Sequence, residues 1–165
     1  GTQNFVNAHH YYCISIALFF EGSPVYGCIY APVLGKMYYA AKGKGAFCNG
    51  KPIHVSSEPL ENGIVIFGTS PYYEELREKS FKLAYEYHRR ALDVRRTGSA
   101  AIDLCNIAAG RAELFFELVL SPWDYAAGAL IVEEAGGIVT DADGRALSLD
   151  RKCSVVARNA VVRPL

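Results

Sequence analysis

The chain changes texture once, at SSEPLENG over residues 56–63, and that switch narrows the possible folds more than any other feature. Before it, short β-rich runs alternate with turn residues and no helical period appears. YCISIALFF at 12–20 leads into the turn EGSP at 21–24, and VYGCIY at 25–30 leads into APVLGK at 31–36. MYYAA follows at 37–41. Asn49-Gly50, between GAFC and KPIHVS, has the two-residue signature of a tight hairpin. This part therefore reads as an antiparallel meander. Such a sheet needs helices laid over its apolar face, and no helical segment lies near it in sequence.

After the switch, strands and helices alternate. GIVIFGT at 63–69 reads as a buried strand. Ser70-Pro71 then predicts a helix start, with Leu76, Leu83, Ala84 and Tyr87 on one face. ALDVRRT at 91–97 is the next strand, and a helix from about Ser99 to Ala109 halts at Gly110. AELFFEL at 112–118 is a third strand. SPWDYAAGALIVEEAGG at 121–137 predicts a helix with Trp123, Ala126, Ala127, Leu130 and Ile131 as its apolar stripe. GIVTD and SVVARN supply the last two strands. The fold class is α/β, a layered α+β sandwich. Residues 1–58 are the remainder of an amino-terminal antiparallel-sheet lobe, and 59–165 form a carboxyl-terminal α/β lobe.

Composition excludes several functions. Seventeen basic residues balance seventeen acidic ones among 165, so no basic field exists to collect nucleic acid or an anionic membrane. No apolar run approaches the ~20 residues needed to span a bilayer. The five cysteines (Cys13, Cys28, Cys48, Cys105 and Cys153) are widely spaced and lack a CxxC pair. They read as reduced thiols of a cytoplasmic protein rather than a disulfide framework or a zinc site. GTQNF opens the chain without an initiator methionine, so a longer parent protein is expected.

Two explanations compete for Asp124. Ser121-Pro122-Trp123-Asp124 fits a capping box, with an acid three residues after the N-cap, and needs no function. On the other hand, Glu117 closes a strand and Asp124 opens the next helix. Both then lie outside the carboxyl end of the sheet, where α/β folds bind ligands. Gly98-Ser99-Ala100 repeats the strand-to-helix junction one unit earlier, with free backbone N–H groups for an oxygen-rich ligand. An acid at a helix start can cap and also ligate a hard cation such as Mg2+. KGKG at 42–45 reads as a turn with solvated lysines, and His9 and His10 as loop or packing residues. One of Arg95 and Arg96 is expected to reach the crevice while the other pairs with surface acids.

With these residues assembled, the chain resembles the inositol monophosphatase family. WDYAAGALIVEEAGG is similar to its carboxyl-terminal signature, and RRTGSAAIDLCNIAAGRAELFFE to the stretch before it. KGKGAFCNGKPIHVS is similar to its hairpin, and GTQNFV to the end of its Asp-Pro-Ile-Asp-Gly-Thr-x-Asn-Phe motif. The resemblance implies Mg2+-dependent hydrolysis of a phosphate monoester, with myo-inositol monophosphate the favoured substrate. It implies that Asp124 binds a metal ion, and that Gly1 and Thr2 hold phosphate through backbone N–H groups. The Thr2 hydroxyl would orient the attacking water. Ala100, in the turn begun by Gly98 and Ser99, and Glu117 would contact hydroxyls of the alcohol. A homodimer is also implied, and an uncovered sheet face gives a second reason to expect one. The family's first metal-binding Glu and two aspartates would precede Gly1, so these 165 residues alone are expected to be inactive. Related sugar or nucleotide phosphatases, and a non-catalytic binding module of the same fold, are the alternatives.

Overall fold

The computed structural model describes residues 1–165. Strands β1 (Ile14–Phe20), β2 (Ser23–Ala31), β3 (Lys36–Ala41), β4 (Ala46–Cys48) and β5 (Lys51–Ile53) pair antiparallel in sequence order, as the turn chemistry predicts. Asn49 and Gly50 take φ of 50° and 79°, the double positive turn that matches the twist of two strands. Alternation sorts the side chains. Gly27, Ile29, Ala31, Tyr38 and Ala40 are buried on one face, while Ile14, Ile16, Leu18, Phe20, Tyr26, Tyr30 and Met37 are exposed on the other.

The second sheet is mixed, in the order β7-β6-β8-β10-β9. β6 (Ile64–Phe67), β7 (Asp93–Arg95) and β8 (Leu114–Leu120) run parallel, and β10 (Cys153–Arg158) is antiparallel to both β8 and β9 (Ile138–Thr140). Helix α1 (Thr2–Val6) opens the chain, and α2 (Glu74–His88) packs outside the mixed sheet on β6, β7 and β8. Helices α3 (Ala100–Ala108) and α4 (Pro122–Glu134) form a layer between the two sheets. The larger core lies around this layer and the smaller one under α2. None of the helices is long and apolar enough to cross a membrane, and all five cysteines are free.

Three local expectations are corrected. The meander does have a helical cover: α4 packs on β1, β2 and β3 from about a hundred residues downstream, leaving only the opposite face open. Nor is α4 amphipathic. Every residue from Tyr125 to Val132 is buried, whereas Trp123, placed in the predicted stripe, is 72% exposed. A helix between two sheets meets apolar surface on both sides, so a one-sided stripe is not required. Finally, α2 starts at Glu74 rather than after Ser70-Pro71. Ser70 sits at φ 44°, and its hydroxyl accepts the Val119 N–H at 3.1 Å, so its polar groups bond across to β8 instead of capping a helix.

Candidate functional site

The carboxyl ends of the parallel strands β6, β7 and β8 open at one edge of the mixed sheet, facing α1 and the start of α4. A cavity of about 230 Å3 lies there. All seven residues singled out from the sequence line it: Gly1, Thr2, Gly98, Ser99, Ala100, Glu117 and Asp124. Thr2 begins the short helix α1, with Gly1 at its N-cap. Arg96 joins the lining and donates through Nη2 to Thr69 Oγ1 at 3.3 Å, while Arg95 forms an exposed ion pair with Asp93. The two arginines thus divide as expected. A larger cavity of about 550 Å3 adjoins this one, sharing Asn4 and Arg96, but no carboxylate lines it.

Asp124 makes the capping bond that its position suggested. Oδ2 accepts the Ser121 N–H at 3.0 Å, so the capping arm is real. The other carboxylate oxygen has no partner within the protein, on a residue that lines the cavity.

Glu117 does not close its strand, because β8 continues to Leu120. It reaches the cavity for a different reason. The last β6–β8 pair is Phe67 with Phe116, so Glu117 is the first residue of β8 to overhang its shorter neighbour. The carboxylate then lies over Gly68, where a Cβ would come within 2.0 Å of Oε2; only glycine leaves room. Oε1 accepts the Ser70 N–H at 3.1 Å. Burial lifts the Glu117 carboxyl to about 7, with the Ser70 N–H pulling it down and the nearby Asp124 pushing it up.

Sequence reasoning missed Asp103. It lies in the otherwise apolar run AAIDLCNIA, is 1% exposed, and lines the cavity from the first turn of α3. An acid flanked by Ile102 and Leu104 was the available signal. Burial lifts its carboxyl to about 8, opposed by the hydrogen bond from Thr97.

Both carboxyls thus hold protons more tightly in the folded chain than in the unfolded one, where they titrate near 3.8 and 4.5. Between those values and about 7 to 8 the folded state carries the extra protons, so stability falls as pH rises. Thermal unfolding in metal-free buffer is expected to show Tm declining across this window, and Asp103→Asn to flatten the decline. A Tm that climbs over the same range contradicts the burial account.

The donor set bears on Mg2+. No three His, Cys, Asp or Glu side chains converge to form a cage. Mg2+ is commonly held by one or two carboxylates together with substrate phosphate and water, and Asp124 with an unused oxygen fits that role.

Sequence and structure comparisons give a consistent result. The profile of the inositol monophosphatase family matches residues 1–163. The chain is 42% identical to the putative Nus factor SuhB of Neisseria meningitidis serogroup B, over 87% of this chain and 56% of that protein. It is 41% identical to inositol monophosphatase 2 of Solanum lycopersicum, over 97% of this chain and 61% of that protein. The crystal structure of extragenic suppressor protein suhB from Bartonella henselae superposes with a TM-score of 0.90 at 35% identity, covering 98% of this chain and 62% of that one. The chain therefore spans somewhat over half the length of these relatives.

Proposed function

The chain belongs to the inositol monophosphatase family, and from that premise we propose that it serves Mg2+-dependent hydrolysis of a phosphate monoester, with myo-inositol monophosphate the favoured substrate. One observation carries this reading: seven residues from four separate segments line a single cavity that combines backbone N–H groups with carboxylates.

In this reading the N–H groups at Gly1 and Thr2 bind the phosphate oxygens, and the Thr2 hydroxyl orients the water. The free N–H groups at the start of α3, at Ala100, meet a hydroxyl of the alcohol. Glu117, held by Ser70, accepts a second hydroxyl when ionised. Buried in the cavity wall, it binds a polyol at the expense of an apolar alcohol, which would leave Oε2 unpaired while Oε1 keeps the Ser70 N–H. Asp124 holds Mg2+, which when bound supplies Lewis-acid stabilisation of charge on the phosphoryl group. Arg96 keeps one positive charge beside three acids. A second copy of the chain is the partner in the same reading.

A binding role is a second reading, favoured by the relative named as a putative Nus factor. The two are separated by a panel of phosphate monoesters, with and without Mg2+. Ligand binding is measured on the 165 residues, and turnover on the protein as its gene encodes it in full. Mg2+-dependent preference for an inositol phosphate supports the phosphatase reading. Folded protein that neither binds nor hydrolyses any ester overturns it.

A further inference from the structure

Two backbone elements face the cavity, α1 and the first turn of α3, and neither is held in place by its own sequence. Helix α1 has only five residues, far below the ~12–15 that make an isolated helix even marginal. Its single buried side chain is Asn4. The N-cap of α3, Ser99, makes no side-chain capping bond. Something else must set the gap between them.

Thr97 touches both. Its carbonyl oxygen accepts Asn4 Nδ2 at 3.0 Å, and the same nitrogen also donates to the Tyr11 carbonyl at 2.7 Å. Its hydroxyl donates to Asp103 Oδ1 at 2.6 Å and accepts the Ser99 N–H at 3.3 Å. Asp103 is one turn into α3 and buried, so it is a fixed anchor for that hydroxyl. One residue between β7 and α3 thereby joins the α1 side chain, the Ser99 amide and the α3 carboxyl.

We propose that Thr97 is a positioning residue, setting through its hydroxyl the spacing between α1 and the start of α3, and with it the fit of a phosphate ester bridging the two. The consequence for ligand fit rests on the phosphatase reading; the structural coupling does not.

Removing the hydroxyl strands a buried acid without its partner, which strains the first turn of α3. That strain passes to α1 through the Thr97 carbonyl and Asn4. Thr97→Val keeps the side-chain shape and removes the hydroxyl, whereas Thr97→Ser keeps the hydroxyl. Asp103→Asn keeps an acceptor for it.

The test uses amide spectra of the 15N-labelled 165-residue chain, followed by titration with Mg2+ and myo-inositol 1-phosphate. Thr97→Val is expected to move the Asn4 side-chain NH2 signals and the Gln3–Phe5 amides as well as those at Ser99–Ala101. Ester affinity should fall about tenfold, the usual worth of a lost hydrogen bond to a charged or buried partner. Thr97→Ser is expected to follow wild type in both measurements, and Asp103→Asn to leave the α1 signals in place. Shifts in Thr97→Val confined to α3 overturn the proposal, as do α1 shifts of equal size in Thr97→Ser or Asp103→Asn. Should Thr97→Val not fold, the last two variants still decide. Wild-type chain that binds no ester counts against the phosphatase reading alone, and the shift pattern still judges the coupling.

Discussion

Replacing Gly27 with alanine is expected to lower the unfolding free energy by about 2–3 kcal/mol, at the upper end of overpacking costs. Gly27 sits in the middle of β2, paired with Ala17 on one side and Ala40 on the other. Its missing side chain faces α4. A Cβ there would lie 2.8 Å from the Ala127 carbonyl oxygen and 3.1 Å from the Ala127 Cα. Both are backbone atoms, so no rotamer change makes room; the helix must lift from the sheet. It has little space to do so, because the far side of α4 meets β9 and β10, and Gly128 is already pressed against Leu104. Interiors at crystal density transmit such a shift instead of absorbing it. Equilibrium unfolding in urea, with an unchanged slope and a lowered midpoint, checks the prediction. An unmoved midpoint would mean that the two layers are looser than their contacts indicate.

That contact also explains what could and could not be read from the residues. The meander was legible because its register rests on local turn chemistry, above all at Asn49-Gly50. The crevice was legible because parallel strands carry their loops to one edge, and Gly98-Ser99-Ala100, Glu117 and Asp124 fall at or near those junctions. The middle layer was not. A helix that covers a sheet a hundred residues upstream leaves no trace in nearby sequence, and its second buried face erases the one-sided stripe that periodicity detects. Ser70 failed for a related reason: its polar groups are satisfied by β8, a partner forty-seven or more positions away. Asp103 was passed over because an acid inside a helix is ordinarily solvated, and only its apolar neighbours hinted otherwise.

Changing Asp124 to asparagine is expected to cost almost no stability yet abolish function, lowering Mg2+-dependent turnover at least ~100-fold. Asparagine retains an oxygen for the Ser121 N–H, so the capping-box bond survives and α4 should start where it does now. Alanine has no such oxygen, and Asp124→Ala should lose a further ~1 kcal/mol of stability, the usual net worth of one hydrogen bond. The pair of variants thereby separates the two roles: capping distinguishes alanine from asparagine, whereas metal ligation treats both as losses. A third readout needs neither metal nor substrate. The Asp124 charge is among the causes that raise the Glu117 carboxyl, so Asp124→Asn should move the Glu117 titration downward. Carboxyl 13C signals followed against pH would show this in the 165-residue chain. If Glu117 titrates lower and turnover of the full-length protein nevertheless stays near wild type, Asp124 is a cap beside a ligand cavity and nothing more. If turnover collapses while the midpoint of unfolding holds, Asp124 acts beyond the cap, because asparagine keeps an oxygen for the Ser121 N–H but lacks both the carboxylate charge and the second oxygen.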